Sequence, residues 1–200
     1  VLVLDTETTT DPYQNLLFGS CGIWIAGQLH RLTLFYDDSL GKSQIEVVKG
    51  FARQFVQGVS PDVMSRSEFV ESIFYPWAYD ARALCVGFNL PFDLSRLAIS
   101  YGLARKRFAN GFSLKLSDSE FHPRIRIKSL DSKRAFIEFG QVNNGTEYAG
   151  RFLDLHTLAF AMTNKNMSLE TACDHFDALI KKRTCQTHGK VTENYVNYNI

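Results

Sequence analysis

The chain has 200 residues, 45% hydrophobic and 22% charged, the profile of a globular domain with one sizeable core. Sixteen Phe and eight Tyr argue against disorder, because such a chain buries enough apolar surface to offset its ordering entropy. With 22 Lys plus Arg against 21 Asp plus Glu, the formal net charge is +1, which excludes nucleic-acid binding by bulk positive field alone and leaves a local site open. The four cysteines are scattered without a CxxC pair, and no apolar run approaches the roughly 20 residues that cross a bilayer. A reduced, cytoplasmic protein with no membrane partner is expected. Val1–Leu4 is too short for a signal peptide and already has strand character, so the sequence reads as part of a longer chain.

Val1 to Leu4 is a continuous apolar run ending in Asp5, the pattern of a strand buried on both faces. Residues 19–27 and 31–36 read as two further strands with a turn near Gln28-Leu29-His30. Ser43-Gln44-Ile45-Glu46 is a capping box, after which Ile45, Val48, Phe51, Ala52 and Phe55 follow at helical spacing up to Gly58. Residues 59–80 read as an irregular connection. Ala83 to Gly87 is a short apolar strand, and Asn89-Leu90-Pro91 opens a helix with Leu94, Leu97, Ala98 and Tyr101 on one face and Gly102 as its stop. Alternation over 124–128 and 135–139 places a β-hairpin insertion at about 112–149. Arg151 to Asp154 reads as a core strand entering a helix, Leu169 to Ile180 as an amphipathic helix, and Thr192 as the cap of a last helix. Strands first, then strands alternating with helices, predict a mixed sheet with helices packed on it.

Asp5-Thr6-Glu7 sets two carboxylates on one face of a strand end, with Cα atoms about 6.5–7 Å apart. Two acids held together at neutral pH repel unless a cation lies between them, and hard oxygen donors suit Mg²⁺ or Mn²⁺. The plainer alternative is a turn cap before Thr8-Thr9-Thr10. Asp93, in the first turn of the helix opened by Asn89, either stabilises the helix dipole or joins Asp5 and Glu7, if its strand lies beside the first. Asp154, at another strand end, reads as the cap of the following helix.

Val3-Leu4-Asp5-Thr6-Glu7-Thr8-Thr9 resembles the first motif of DEDD-type 3′–5′ exonucleases. Gly87-Phe88-Asn89-Leu90-Pro91-Phe92-Asp93 is similar to the second motif of the proofreading exonuclease domain of family B DNA polymerases. The third motif of that family is Tyr, three residues, then Asp; Glu193 to Ile200 resembles its approach, with Tyr198 as the tyrosine and the acid falling at position 202. Phe152-Leu153-Asp154-Leu155 and Met167-Ser168-Leu169-Glu170 resemble segments between the second and third motifs.

The resemblance implies a single RNase H-like domain over 1–200, a mixed five-stranded sheet flanked by helices with a β-hairpin insertion, truncated within the third motif. It implies removal of 3′-terminal nucleotides from single-stranded DNA, with a polymerase domain C-terminal in the same polypeptide. Two divalent metal ions are implied, Mg²⁺ or Mn²⁺, with Asp5 and Glu7 on the first and Asp93 on the second. Tyr198 would orient water or phosphate, and Asn89, Phe92 and Thr6 would touch the terminal nucleotide. An exoribonuclease with the same carboxylates and a catalytically incomplete nucleic-acid-binding module remain the alternatives. Arg124, Arg126 and Lys128, with Arg105-Lys106-Arg107, either track a nucleic-acid backbone or form a solvated edge. Phe108, Phe112 and Phe121, interleaved with them, are expected to pack. A zinc set of Cys173, His175, Cys185 and His188 is disfavoured, because Cys173 belongs to an apolar helix face.

Overall fold

The computed structural model describes residues 1–54, 56–141, 148–179 and 188–198. They divide between two compact units, Val1–Ala83 with Thr184–Ile200, and Leu84–Arg183. Strands pair both in parallel and antiparallel, so the architecture is mixed α/β.

In the first unit, β1 (Leu2–Thr8), β2 (Leu16–Ile25), β3 (Gln28–Tyr36) and β4 (Asp62–Ser65) lie side by side in that order. The first two pairings are antiparallel and β3–β4 is parallel. The β2–β3 turn falls at Ala26 and Gly27, with φ of +50° and +80°, the left-handed pair that matches strand twist in a two-residue hairpin. The expected turn residues, Gln28 to His30, lie inside β3 instead.

Alternation gives this sheet two faces. On one, Leu4, Cys21 and Phe35 are buried, and Phe35 stacks on Phe69 with ring centroids 4.1 Å apart. Phe69 ends α2 (Arg66–Phe69), which continues as wide turns over Val70–Phe74 and Pro76–Asp80. On the other, Leu17, Phe18 and Leu34 pack with Val48 of α1 (Lys42–Gly50), Phe51 just after it, and Tyr195 and Val196 of α6 (Glu193–Tyr198). Each such side chain, fully buried, contributes about 1.5–3 kcal/mol. Val3 is 40% exposed, so β1 is closed on the face of Leu2, Leu4 and Thr6 and not, as expected, on both.

Two local expectations fail in this unit. Helix α1 is capped by Gly41, whose carbonyl accepts the Gln44 and Ile45 N–H groups at 3.0 Å. Ser43 therefore falls inside the helix and the capping box does not form; the helix closes at Gly50, well before Gly58. Residues 59–80 are ordered rather than irregular. Ser65 Oγ accepts the Glu68 N–H at 3.2 Å to cap α2. Pro76 removes a donor from the run, and the wider Ala81 N–H to Pro76 O bond follows at 2.9 Å.

In the second unit, β5 (Cys85–Gly87) and β10 (Phe152–Asp154) pair in parallel, each running into a helix, α3 (Leu90–Arg96) and α4 (Leu155–Thr163). Helix α5 (Leu169–His175) follows. The strands β6 (Ser100–Leu103), β7 (Phe112–Lys115), β8 (Ile125–Ser129) and β9 (Ala135–Phe139) form an antiparallel sheet in chain order. A hairpin, β8–β9, forms within the stretch 112–149, and its sheet also takes in β7 and β6. The helix expected to reach Tyr101 stops at Arg96, because Ser100 to Leu103 pair with β7, and Tyr101 is 77% exposed rather than on a buried face. The strand count also departs from the expected five: four in the first unit and the β5–β10 pair in the second, with β4 arising in the stretch read as irregular. Among the described residues no helix is long and apolar enough to cross a membrane.

Candidate carboxylate–tyrosine site

Asp5 and Glu7 sit on the less buried face of β1, opposite Ser20 and Phe18 of β2, while Thr6 between them is turned to the closed face and 7% exposed. The ladder slips just after Glu7, which pairs with Phe18 while Thr8 pairs with Leu16. Such a bulge ends regular pairing and re-aims side chains beside it. Gly19, opposite Thr6, lets the strands close here: a Cβ would lie 2.6 Å from the Asp5 carbonyl oxygen and 2.3 Å from the Phe35 ring.

Helix α6 brings the third group. Thr192 Oγ1 accepts the Tyr195 N–H at 3.2 Å, the expected cap, and this fixes the rotation that turns Tyr195 to the sheet. Tyr195 is 2% exposed and meets Phe18 edge-on at 5.4 Å. Its hydroxyl donates to Glu7 Oε2 and accepts the Gly189 N–H. Gly189 has φ +80°, and a Cβ there would lie 2.6 Å from Thr10 Cγ2, so glycine is required both by conformation and by space. His188 packs edge-on to Tyr195 at 5.1 Å. Burial, then the hydrogen bond and charge of Glu7, then the charge of Asp5, push the Tyr195 phenol far above its ordinary value of 10.0. Tyr195 is a neutral donor aimed at the carboxylate pair.

Tyr198 closes α6, and its side chain lies outside the described residues. Tyr195, Gly189 and Gly19 are the groups that motif and spacing did not single out at this site. The signal for Tyr195 was present, since a cap at Thr192 sets which face of α6 meets the sheet.

The second unit holds the remaining predicted residues. Asn89 caps α3 in the left-handed region, φ +67° and ψ +43°, which Asn tolerates better than most side chains. It is exposed, Phe92 is half-buried beneath the Arg96 guanidinium at 4.8 Å, and Asp93 is 3% exposed in the first helical turn. Burial and the nearby Asp93 charge push the Cys85 thiol up, which leaves it an inert core group. Asp154 is the expected cap. Its Oδ2 accepts the Thr157 N–H at 3.0 Å and the Thr157 hydroxyl at 2.6 Å, and its Oδ1 accepts the Leu90 N–H at 3.0 Å. One carboxylate thus fixes the starts of both α4 and α3, and with α3 the placement of Asn89, Phe92 and Asp93.

The basic stripe is engaged within its own sheet. Arg126 pairs with Glu138 at 2.6 Å, Arg107 with the same acid, Arg124 with Ser113, and Lys128 with the Arg107 carbonyl. Phe108 is buried against Arg126, whereas Phe112 and Phe121 are 52% and 74% exposed rather than packed. Cys173 lines an apolar cleft of about 290 Å³ with Leu158, Met162 and Phe176; Cys185 lies outside the described residues.

As hard oxygen donors sharing one strand face, Asp5 and Glu7 fit a divalent cation in chemistry. Among the described residues no group of three or more His, Cys, Asp and Glu side chains is placed to hold a metal ion. Comparison with protein-family models and with curated proteins finds no match.

Proposed function

We propose that this chain is a metal-dependent 3′–5′ exonuclease domain of RNase H-like type, acting on single-stranded DNA as the cytoplasmic proofreading part of a family B DNA polymerase. The observation that carries the proposal is the pair Asp5 and Glu7 on one face of β1 with the buried Tyr195 hydroxyl bonded to Glu7. The reading assigns Asp5 and Glu7 to one Mg²⁺ or Mn²⁺ and Asp93 to a second. When bound, such ions activate water and stabilise a leaving 3′-oxygen. The chain's own part is positional: Tyr195 holds Glu7 in one orientation, Gly19 keeps β2 close to Asp5, and Asp154 fixes the α3 turn that carries Asn89, Phe92 and Asp93.

A second reading has its own support. The Tyr195–Glu7 bond favours a third-motif register counted from Tyr195, and four residues on stands Asn199, an amide outside the described residues. On that count one acid of the set is missing, as in a module that grips single strands without cleaving them.

One experiment separates the readings. Single-stranded DNA and RNA of one sequence, labelled at the 5′ end, are incubated with the full chain and Mg²⁺. The proposal expects stepwise shortening of the DNA from its 3′ end, abolished by chelation and by Asp5→Ala. Shortening that survives Asp5→Ala overturns it, preferential loss of RNA makes the chain an exoribonuclease, and binding indifferent to Mg²⁺ without shortening establishes the module.

A further inference from the structure

The β6–β7 edge of the antiparallel sheet carries a feature that the carboxylate site does not use. Leu103 and Phe112 lie directly opposite each other across the ladder, and Tyr101 is two residues along from Leu103 on the same face. The same face is closed further in, where Leu114 and Ile125 are 5% and 0% exposed. At its outer end it opens: Tyr101 is 77%, Leu103 80% and Phe112 52% exposed. Large apolar side chains exposed singly are ordinary, whereas three in neighbouring positions on one sheet face mark a binding surface.

Charge selects the occupant. From Leu94 to Ser117 the sequence holds Arg96, Arg105, Lys106, Arg107 and Lys115 and no Asp or Glu. Arg107 and Lys115 are committed to Glu138 and Asp118, and Arg96 lies over Phe92. Arg105 and Lys106 are exposed in the turn that leaves β6 at Leu103 and returns to β7 at Phe112. Two rings beside two exposed cations, with the neighbouring acids Glu138 and Asp118 already paired, match a polyanion with stacking faces, since bases stack on aromatic side chains while Lys and Arg meet the phosphates.

We propose that the Tyr101–Leu103–Phe112 ridge, with Arg105 and Lys106, is a second binding surface for single-stranded DNA, made of residues other than the Asp5–Glu7 carboxylates. It rests on the proposed action on single strands only for the choice of DNA.

The test is fluorescence anisotropy of labelled oligo(dT) with the full chain in EDTA, where cleavage is absent. Tyr101→Ala and Phe112→Ala each weaken binding about tenfold. Arg105→Ala and Lys106→Ala each make the slope of log K against log salt shallower by about 0.7, the value for one phosphate no longer neutralised on a single strand. Because these side chains are exposed, the variants keep the wild-type melting temperature. Unchanged affinity and salt slope in all four variants overturns the proposal. So does a shift of the Tyr101 and Phe112 variants to a smaller oligomer without loss of DNA affinity, which makes the ridge an interface between copies. Failure of the exonuclease reading is seen separately, as binding that remains while Mg²⁺ produces no shortening.

Discussion

The Tyr195 hydroxyl donates to Glu7 Oε2 across 188 residues of chain, joining the last described helix to the first strand at the carboxylate that the site most depends on. Tyr195→Phe keeps the ring against Phe18 and removes only the donor. A hydrogen bond to a charged group contributes about 1.5–3 kcal/mol to stability, so the melting temperature falls by several degrees, and Mg²⁺-dependent shortening, measured well below the transition, falls because Glu7 is no longer held in one orientation.

Tyr195 also resists alkaline ionisation. Its phenol is raised above the ordinary value of 10.0, so its contribution to stability is full below that value and is lost as pH rises beyond it. Alkaline absorbance titration shows the same number of tyrosines ionising near pH 10 in the native chain as in Tyr195→Phe, and one more in the wild type than in the variant once both are unfolded. A native chain in which every tyrosine ionises near pH 10 contradicts this.

Asn199→Asp supplies a carboxylate four residues after Tyr195, the spacing of the third motif. Shortening at limiting Mg²⁺ rises in this variant if the register runs from Tyr195. An unchanged rate returns the third motif to Tyr198.

Asp154→Ala uncaps α4 and releases the Leu90 N–H at the start of α3. A lost cap costs about 0.5–2 kcal/mol, and the unmet Leu90 donor adds to it. Denaturant unfolding reports this as a lower midpoint with an unchanged slope, and amide exchange rises at residues 89–93.

Asp38 gives the chain an acid limb. Burial opposes its ionisation, but the Ser67 N–H at 3.0 Å, the buried Arg66 guanidinium at 2.6 Å and the Ser67 hydroxyl at 2.9 Å outweigh it and hold the carboxyl below 3.8. The stability this contributes is present above pH 3.8 and is lost as pH falls through the lowered folded value. Asp38→Asn lowers stability at neutral pH by about 1 kcal/mol, with solvent screening reducing the effect, and flattens the decline below pH 4.

What could be seen in the sequence was local. The alternation at 124–128 and 135–139 became β8 and β9, and the caps at Asp154 and Thr192 formed, because period and capping depend on neighbours in the chain. What escaped depends on distant partners. β4 exists because Asp62 to Ser65 pair with Thr33 to Tyr36, and α3 ends early because residues 100–103 find a better partner in β7. At the site, Asp5 and Glu7 share a face as their spacing required, whereas the meeting of Tyr195 with Glu7 turned on the rotation of one short helix. The exposed Phe112 shows the same limit: strand spacing placed it on the apolar face, but only the pairing of β7 with β6 set it opposite the exposed Leu103.

The most direct measurement is Mn²⁺ binding to the full chain, followed by electron paramagnetic resonance in wild type, Asp5→Asn and Glu7→Gln. Substituting an amide keeps the shape of each side chain and removes its charge, so folding is retained. The account predicts saturable Mn²⁺ binding in the wild type, displaced by Mg²⁺ and lost in both variants. Equal Mn²⁺ binding in all three proteins, or none in the wild type, contradicts it.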